Sequence, residues 1–186
     1  VKIYLDELFN QQPGDLTKII DSIRMIKSDY ELNIARHAGQ VGMAMMEAAK
    51  KTIGNNVPEY EIALAQSQAG TRKAAELLQK HYPEDINMSP NIHFLPVITS
   101  GQDLPKTHHR ASTKIIKKGD PIFVCYCGST NFHRFKLGFD RIFWVEVIQS
   151  DEQIKAFETA VKSQKAALEV LGPGVTAEEV HDAYAE

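Results

Sequence analysis

Most of the side chains with which this chain could do chemistry lie between residues 108 and 144. They are the histidines His108 and His109, a Gly-Asp turn at Gly119 and Asp120, the cysteines Cys125 and Cys127, and a carboxylate beside a guanidinium at Asp140 and Arg141. Imidazole titrates near neutrality, so a histidine in a polar loop is suited to carrying a proton between water and a substrate. A guanidinium fork fits a carboxylate with two hydrogen bonds, and an aspartate complements a planar nitrogen cation. Such a set suits acid–base work on a small charged molecule. Each element also has an ordinary use. A His-His pair often caps loop backbone, and an Asp-Arg dipeptide often ends a strand as a salt bridge.

The cysteines leave more than one reading open. Cys125 and Cys127 are two apart on an expected strand and would face the same side, but a disulfide across one residue is strained. Reduced thiols, and with them a cytoplasmic location, are the simpler expectation. They could be small buried packing residues, a catalytic thiol, or a thiolate metal site completed by His133 or His108. Zinc sites usually add a second ligand pair at a recognisable spacing, and none is visible in this sequence.

Hydrophobic periodicity indicates the elements that must position these groups. Leu16, Ile19, Ile20 and Ile23 form the stripe of a short helix. Ser28, followed by Asp29 and Glu31, is a natural start for the longest helix, with Leu32, Ile34, Ala35, Val41, Met45 and Ala48 recurring up to Gly54. Met43, Met45 and Met46 are expected in the core. A second helix is expected over 59–80, with Glu59 and Glu61 at its acidic start and Ile62, Ala63, Ala65, Ala74, Leu77 and Leu78 along its apolar face. Strands are expected at 1–5, 92–99, 121–124 and 141–147. A long helix over 149–171 should turn Ile154, Phe157, Ala160, Val161, Ala166 and Leu168 inward. Thr176 should cap one more helix.

This order of elements and motifs resembles the pita-bread family of aminopeptidase P, prolidase, methionine aminopeptidase and creatinase. The resemblance is carried by RMIKSDYELNIARHAG at 24–39, by His108 ahead of Gly119 and Asp120, by Asp140 and Arg141, and by the Gly-Pro-Gly turn at 172–174. It implies an α+β fold: half of a pita-bread domain, with long helices packed on a curved antiparallel sheet. It also implies that 1–15 is a linker or strand from a preceding N-terminal domain. Residues 16–186 would then be an incomplete catalytic domain, lacking the family's later His-Gly strand and two glutamates. The initial Val1, in place of Met, fits the same expectation of a piece of a longer chain.

Where the family places two metal-binding aspartates, this chain departs from it. The fifth residue after the turn aspartate is Cys125, and the third before the arginine is Gly138. Divalent metals of this kind want carboxylate oxygens, so no metal, and no other cofactor, is expected. Creatinase, the metal-free branch, carries an acidic residue immediately before the arginine, a glutamate where this chain has Asp140. The resemblance therefore implies His108 as proton shuttle, with His109 as its alternative in register. Asp140 would hold a cationic part of the substrate, and Arg141 would bind a carboxylate or brace Asp140. His109 and Cys125 are expected as further substrate contacts. Three functions compete: a metal-independent hydrolase of a non-peptide C–N bond, a metal-dependent Xaa-Pro peptidase, and a catalytically silent binding relative.

Composition narrows the partners. Hydrophobic content of 43% and charged content of 24% are ordinary for a globular protein, and a net charge of −3 gives no electrostatic argument for nucleic acid or anionic lipid. No apolar run reaches the length needed to span a bilayer, and the acidic first residues do not read as a secretory signal. The expected partner is a small-molecule substrate, with no nucleic acid and no membrane. The full-length protein is expected to be a homodimer.

Overall fold

The computed structural model describes residues 14–85, 97–106, 108–126, 130–133 and 135–185. The expected strand at 1–5, the first part of the strand at 92–99, and Cys127 lie outside the described residues. The described chain opens with three helices, α1 (Thr17–Met25), α2 (Asp29–Thr52) and α3 (Glu59–His81). Helix α2 starts where its sequence demands. The Ser28 hydroxyl accepts from the Glu31 amide at 3.3 Å, and the Glu31 carboxylate accepts from the Ser28 amide at 2.8 Å. Two otherwise orphaned donors are thereby satisfied.

Helices α2 and α3 form an antiparallel hairpin along a seam of small residues. Ala38, Gly42 and Ala49 of α2 are buried, as are Ala63, Gly70 and Ala74 of α3. Small side chains let the axes approach, and Val41, Met45, Ile62 and Leu77 fill the space around them. The methionines divide: Met45 and Met46 are buried, while Met43 is 54% exposed. Leu32, expected inward, is also exposed. Helix α1 departs further, because Leu16, Ile19, Ile20 and Ile23 are all exposed. Its periodicity is helical, but nothing among the described residues covers the stripe.

A three-stranded antiparallel sheet lies against these helices. Its strands are β1 (Val97–Ser100), β2 (Pro121–Cys125) and β5 (Asp140–Trp144), in the order β1-β2-β5. Ile98 pairs with Val124, and Ile122 pairs with both Ser100 and Phe143. Ile98, Ile122 and Val124 are fully buried in the same core as α2 and α3. Strand alternation then assigns Val97, Thr99, Pro121, Phe123, Cys125, Asp140, Ile142 and Trp144 to the opposite face. The expected long helices on an antiparallel sheet are both present.

A hairpin that periodicity did not reveal joins β2 to β5, formed by β3 (Thr130–Phe132) and β4 (Phe135–Leu137). It sits against α2, burying Phe132 beside Tyr82 and His37. Strands of three residues are too short to show alternation. After β5 come α4 (Asp151–Val170) and α5 (Ala177–Ala185), which pack on each other. Ser150 and Thr176 cap them through their hydroxyls. The stripe expected to face inward on α4 remains largely open: Ile154 and Phe157 are about two-fifths exposed and Leu168 more so. Among the described residues it meets α5 and Trp144, whose ring stands edge-on to Phe157 at 5.5 Å.

Two outcomes follow. Ser28→Ala should lower unfolding stability by about 1 kcal/mol in urea titrations, and Ile122→Ala by about 2–5 kcal/mol. The second concerns His37, whose Nδ1 lies 2.8 Å from the Tyr82 hydroxyl. Burial lowers its pKa below the ordinary 6.5, and His81, His133, Lys73 and Lys80 add to the effect. The unfolded chain then binds the proton more readily, so stability should fall as pH drops below about 6.5. His37→Gln should flatten that part of a melting-temperature profile against pH.

Candidate functional site

The residues between β1 and β2 form a loop whose neck is tied by one buried carboxylate. Glu59, the first residue of α3, is fully buried. One of its oxygens accepts from the Ser100 hydroxyl at 2.7 Å. The other accepts from the Ser112 hydroxyl at 2.6 Å and the Ser112 amide at 3.1 Å. The start of a helix favours a negative charge and leaves amides to be satisfied. Here the Glu59 and Tyr60 amides donate to the carbonyls of Lys114 and Ser112. The strap continues through the bridge between Pro58 and Ile115. The basic residues Lys114, Lys117 and Lys118 serve the same seam. Lys114 donates to the Ser100 carbonyl and to Asp103, Lys117 to Asn56, and Lys118 pairs with Glu146.

Two glycines allow the turn that follows. Gly101 has φ +56°, and a Cβ there would come within 2.9 Å of the Asp120 carboxylate. Gly119 has φ +84°, and a Cβ there would overlap Gln149. Asp120 accepts from the Lys117 amide at 2.9 Å, and its carbonyl accepts from Val145. The Gly-Asp turn therefore fixes where β2 begins relative to β5.

His108 lies in this loop, exposed, with φ +55°. Only a few per cent of non-glycine residues adopt that region, although histidine enters it more often than most. His109 is half-buried, and its Nδ1 is enclosed without a hydrogen-bond partner among the described residues. The next residue, Arg110, bridges to Val97, Val97 pairs with Cys125, and Cys125 pairs with Asp140. Cross-strand partners share a face, so these four residues form one row across the sheet. Cys125 is buried and Asp140 is exposed at its end.

The row brings Asp140 and Cys125 together as neighbours. Neighbouring strands are about 4.8 Å apart, so Arg110 is roughly 14 Å along the sheet from Asp140. Among the described residues, no hydrogen bond or ion pair joins the histidines to Asp140. A molecule touching both must reach across the row. Arg141 is opposite Val124 and so belongs to the other face. Its guanidinium donates to the Asp140 backbone carbonyl at 2.6 Å and lies 5.6 Å from the Phe139 ring centre. Gly138 precedes β5, and Asp140, not Gly138, is the residue seated across from Cys125. The Ser100 hydroxyl is committed to Glu59. His133 lies 3.5 Å from Asp85 at the β3–β4 hairpin.

In the sequence Glu59 is visible only as part of an acidic helix start. Its partners are 41 and 53 residues away, which no local pattern reveals.

Residues 33–186 match the profile of metallopeptidase family M24. The chain is 25% identical to creatinase from Bacillus sp. (strain B-0618), over 97% of this chain and 42% of that protein. It is 26% identical to agropine synthesis cyclase from Rhizobium rhizogenes, over 91% and 42% respectively. It is 28% identical to Xaa-Pro dipeptidase from Pyrococcus horikoshii, over 87% and 41%. The chain thus spans about two-fifths of the length of these relatives. Among solved structures, prolidase from Pyrococcus furiosus superposes with a TM-score of 0.78 at 20% identity, covering 99% of this chain and 51% of that one. The pita-bread family and fold expected from the motifs are both borne out.

A metallopeptidase family raises the question of a metal. Among the described residues, no three of His, Cys, Asp and Glu are grouped to hold an ion. One buried thiol beside one carboxylate does not fit the oxygen-rich pair of sites that hard divalent ions require.

The neck of the loop has its own pH signature. Hydrogen bonds from Lys106 and Lys114 hold the Asp103 carboxyl at about 2, below its ordinary 3.8. A depressed carboxylate stabilises the fold above its ordinary value, and that contribution is lost as pH falls from about 3.8 towards 2. Carboxyl carbon NMR should give an Asp103 midpoint near 2. A midpoint at the ordinary value would mean that the Lys106–Asp103–Lys114 cluster does not form in solution.

Proposed function

Because the chain belongs to metallopeptidase family M24, yet seats the thiol of Cys125 across from Asp140, we propose that the full-length protein is a metal-independent hydrolase. Its substrate would be a small amidine, ureido or cyclic-amidine compound bearing a carboxylate, cleaved at a non-peptide C–N bond. The observation that carries this reading is the pairing of Asp140 with buried Cys125. The relatives named creatinase and agropine synthesis cyclase support it, because their names are not those of peptidases.

In this reading His108 takes a proton from the attacking water as the C–O bond forms, and returns it to the nitrogen as the C–N bond breaks. Asp140 holds the cationic nitrogen end of the substrate. Cys125 lines the row beside it, and half-buried His109, next to His108, is a further contact to the same molecule. Arg141 acts from the other face, bracing Asp140 through its backbone carbonyl. The substrate carboxylate then needs a cation other than Arg141, and Arg110, in the same row as Asp140, is available on the proper face. The work is expected in a cytoplasmic homodimer with no nucleic-acid or membrane partner.

His108→Ala in the full-length protein should lower turnover by about 10²–10⁴-fold. The melting temperature should stay unchanged, because an exposed loop side chain contributes little to packing. His109→Ala should cost less. Turnover of creatine-like and ectoine-like compounds should survive a chelator. If the chelator abolished turnover, or if Xaa-Pro dipeptides were cleaved instead, the metal-dependent peptidase reading would replace this one.

A further inference from the structure

We propose that Glu59 is a positioning residue for His108, an inference that rests on the proton-shuttle reading above. The two ends of the 101–111 loop are Ser100 and Ser112, and both hydroxyls bind the same buried carboxylate. The carboxylate itself cannot shift easily, because it belongs to the first turn of α3, whose Glu59 and Tyr60 amides bind the far side of the neck. Lys114 closes the neck a second time, reaching the Ser100 carbonyl and Asp103 from the Ser112 side. A closed neck confines a short loop to few conformations. That confinement is what a histidine at φ +55° requires, since the left-handed region persists only where surroundings enforce it.

Glu59 is fully buried, and its carboxylate is hydrogen-bonded to Ser100 and Ser112 at the neck rather than to Asp140. Its effect must therefore travel through the position of His108. A reacting group displaced by about 1 Å can lose on the order of 10²-fold in rate. Loss of the clamp should appear in kcat more than in KM, because Asp140 on β5 would still hold the substrate.

The test uses Glu59→Gln in the full-length protein, which preserves volume while replacing one acceptor oxygen with a donor. Hydrogen exchange should accelerate at 101–106 and 108–111 and stay unchanged in the α2–α3 core. The value of kcat should fall by roughly tenfold to a hundredfold with KM nearly constant. In a His108→Ala background the same substitution should cost nothing further. An equal additional loss in that background would mean general damage and would overturn the clamp. A kcat that needs His108 but ignores Glu59→Gln would also overturn it, while leaving the proposed chemistry standing. Faster loop exchange in Glu59→Gln, together with full turnover in His108→Ala, would support the clamp and refute the role given to His108. Should Glu59→Gln not fold, Ser112→Ala at a half-buried position removes the hydroxyl that donates to Glu59 and accepts from the Lys114 amide, and the same outcomes apply.

Discussion

The register between β2 and β5 is the constraint on which the site depends. A slip of one residue would turn Ile122 and Val124 out of the core and every partner on β5 with them. Burial on one face forbids that slip, because Ile98, Ile122 and Val124 are all enclosed against the helices. The Gly119–Asp120 turn adds a second lock through its two backbone hydrogen bonds with Val145. Fixing the core face fixes the other face as well, and so seats Asp140 beside Cys125 and places Arg141 on the opposite face.

A second constraint joins the helices to that sheet. A carboxylate without water must be fully hydrogen-bonded, and the Glu59 carboxylate meets that demand with donors from two segments far apart in sequence. The result ties α3, the end of β1 and the approach to β2 at a single point. Rigid elements thus hold a loop whose exposed histidine is free to meet solvent and substrate. This division between a fixed scaffold and a reactive loop is common where chemistry must be placed accurately.

Much of this was legible in the sequence. The capping box at Ser28, the cap at Thr176 and the two long helices follow from local chemistry, and the family motifs supplied the order. Gly119 of the tight turn announced itself in a Gly-Asp pair, whereas Gly101 did not. Other features depend on non-local partners. Glu59 looks no different from Glu61 until the fold brings Ser100 and Ser112 to it. The amphipathic stripes of α1 and α4 correctly signalled helices, but periodicity says nothing about whether a partner is at hand. Arg141 is the instructive case: adjacent residues on a strand face opposite ways, so the expectation of a joint role with Asp140 could have been questioned from alternation alone.

The central claim is that a row offering one carboxylate beside a thiol holds no metal pair. Metal content of the purified full-length protein, measured by elemental analysis after exhaustive dialysis, tests it most directly. The account predicts only substoichiometric zinc, manganese or cobalt, with turnover unaffected by adding them back. About two equivalents per chain, retained through dialysis and required for turnover, would contradict it.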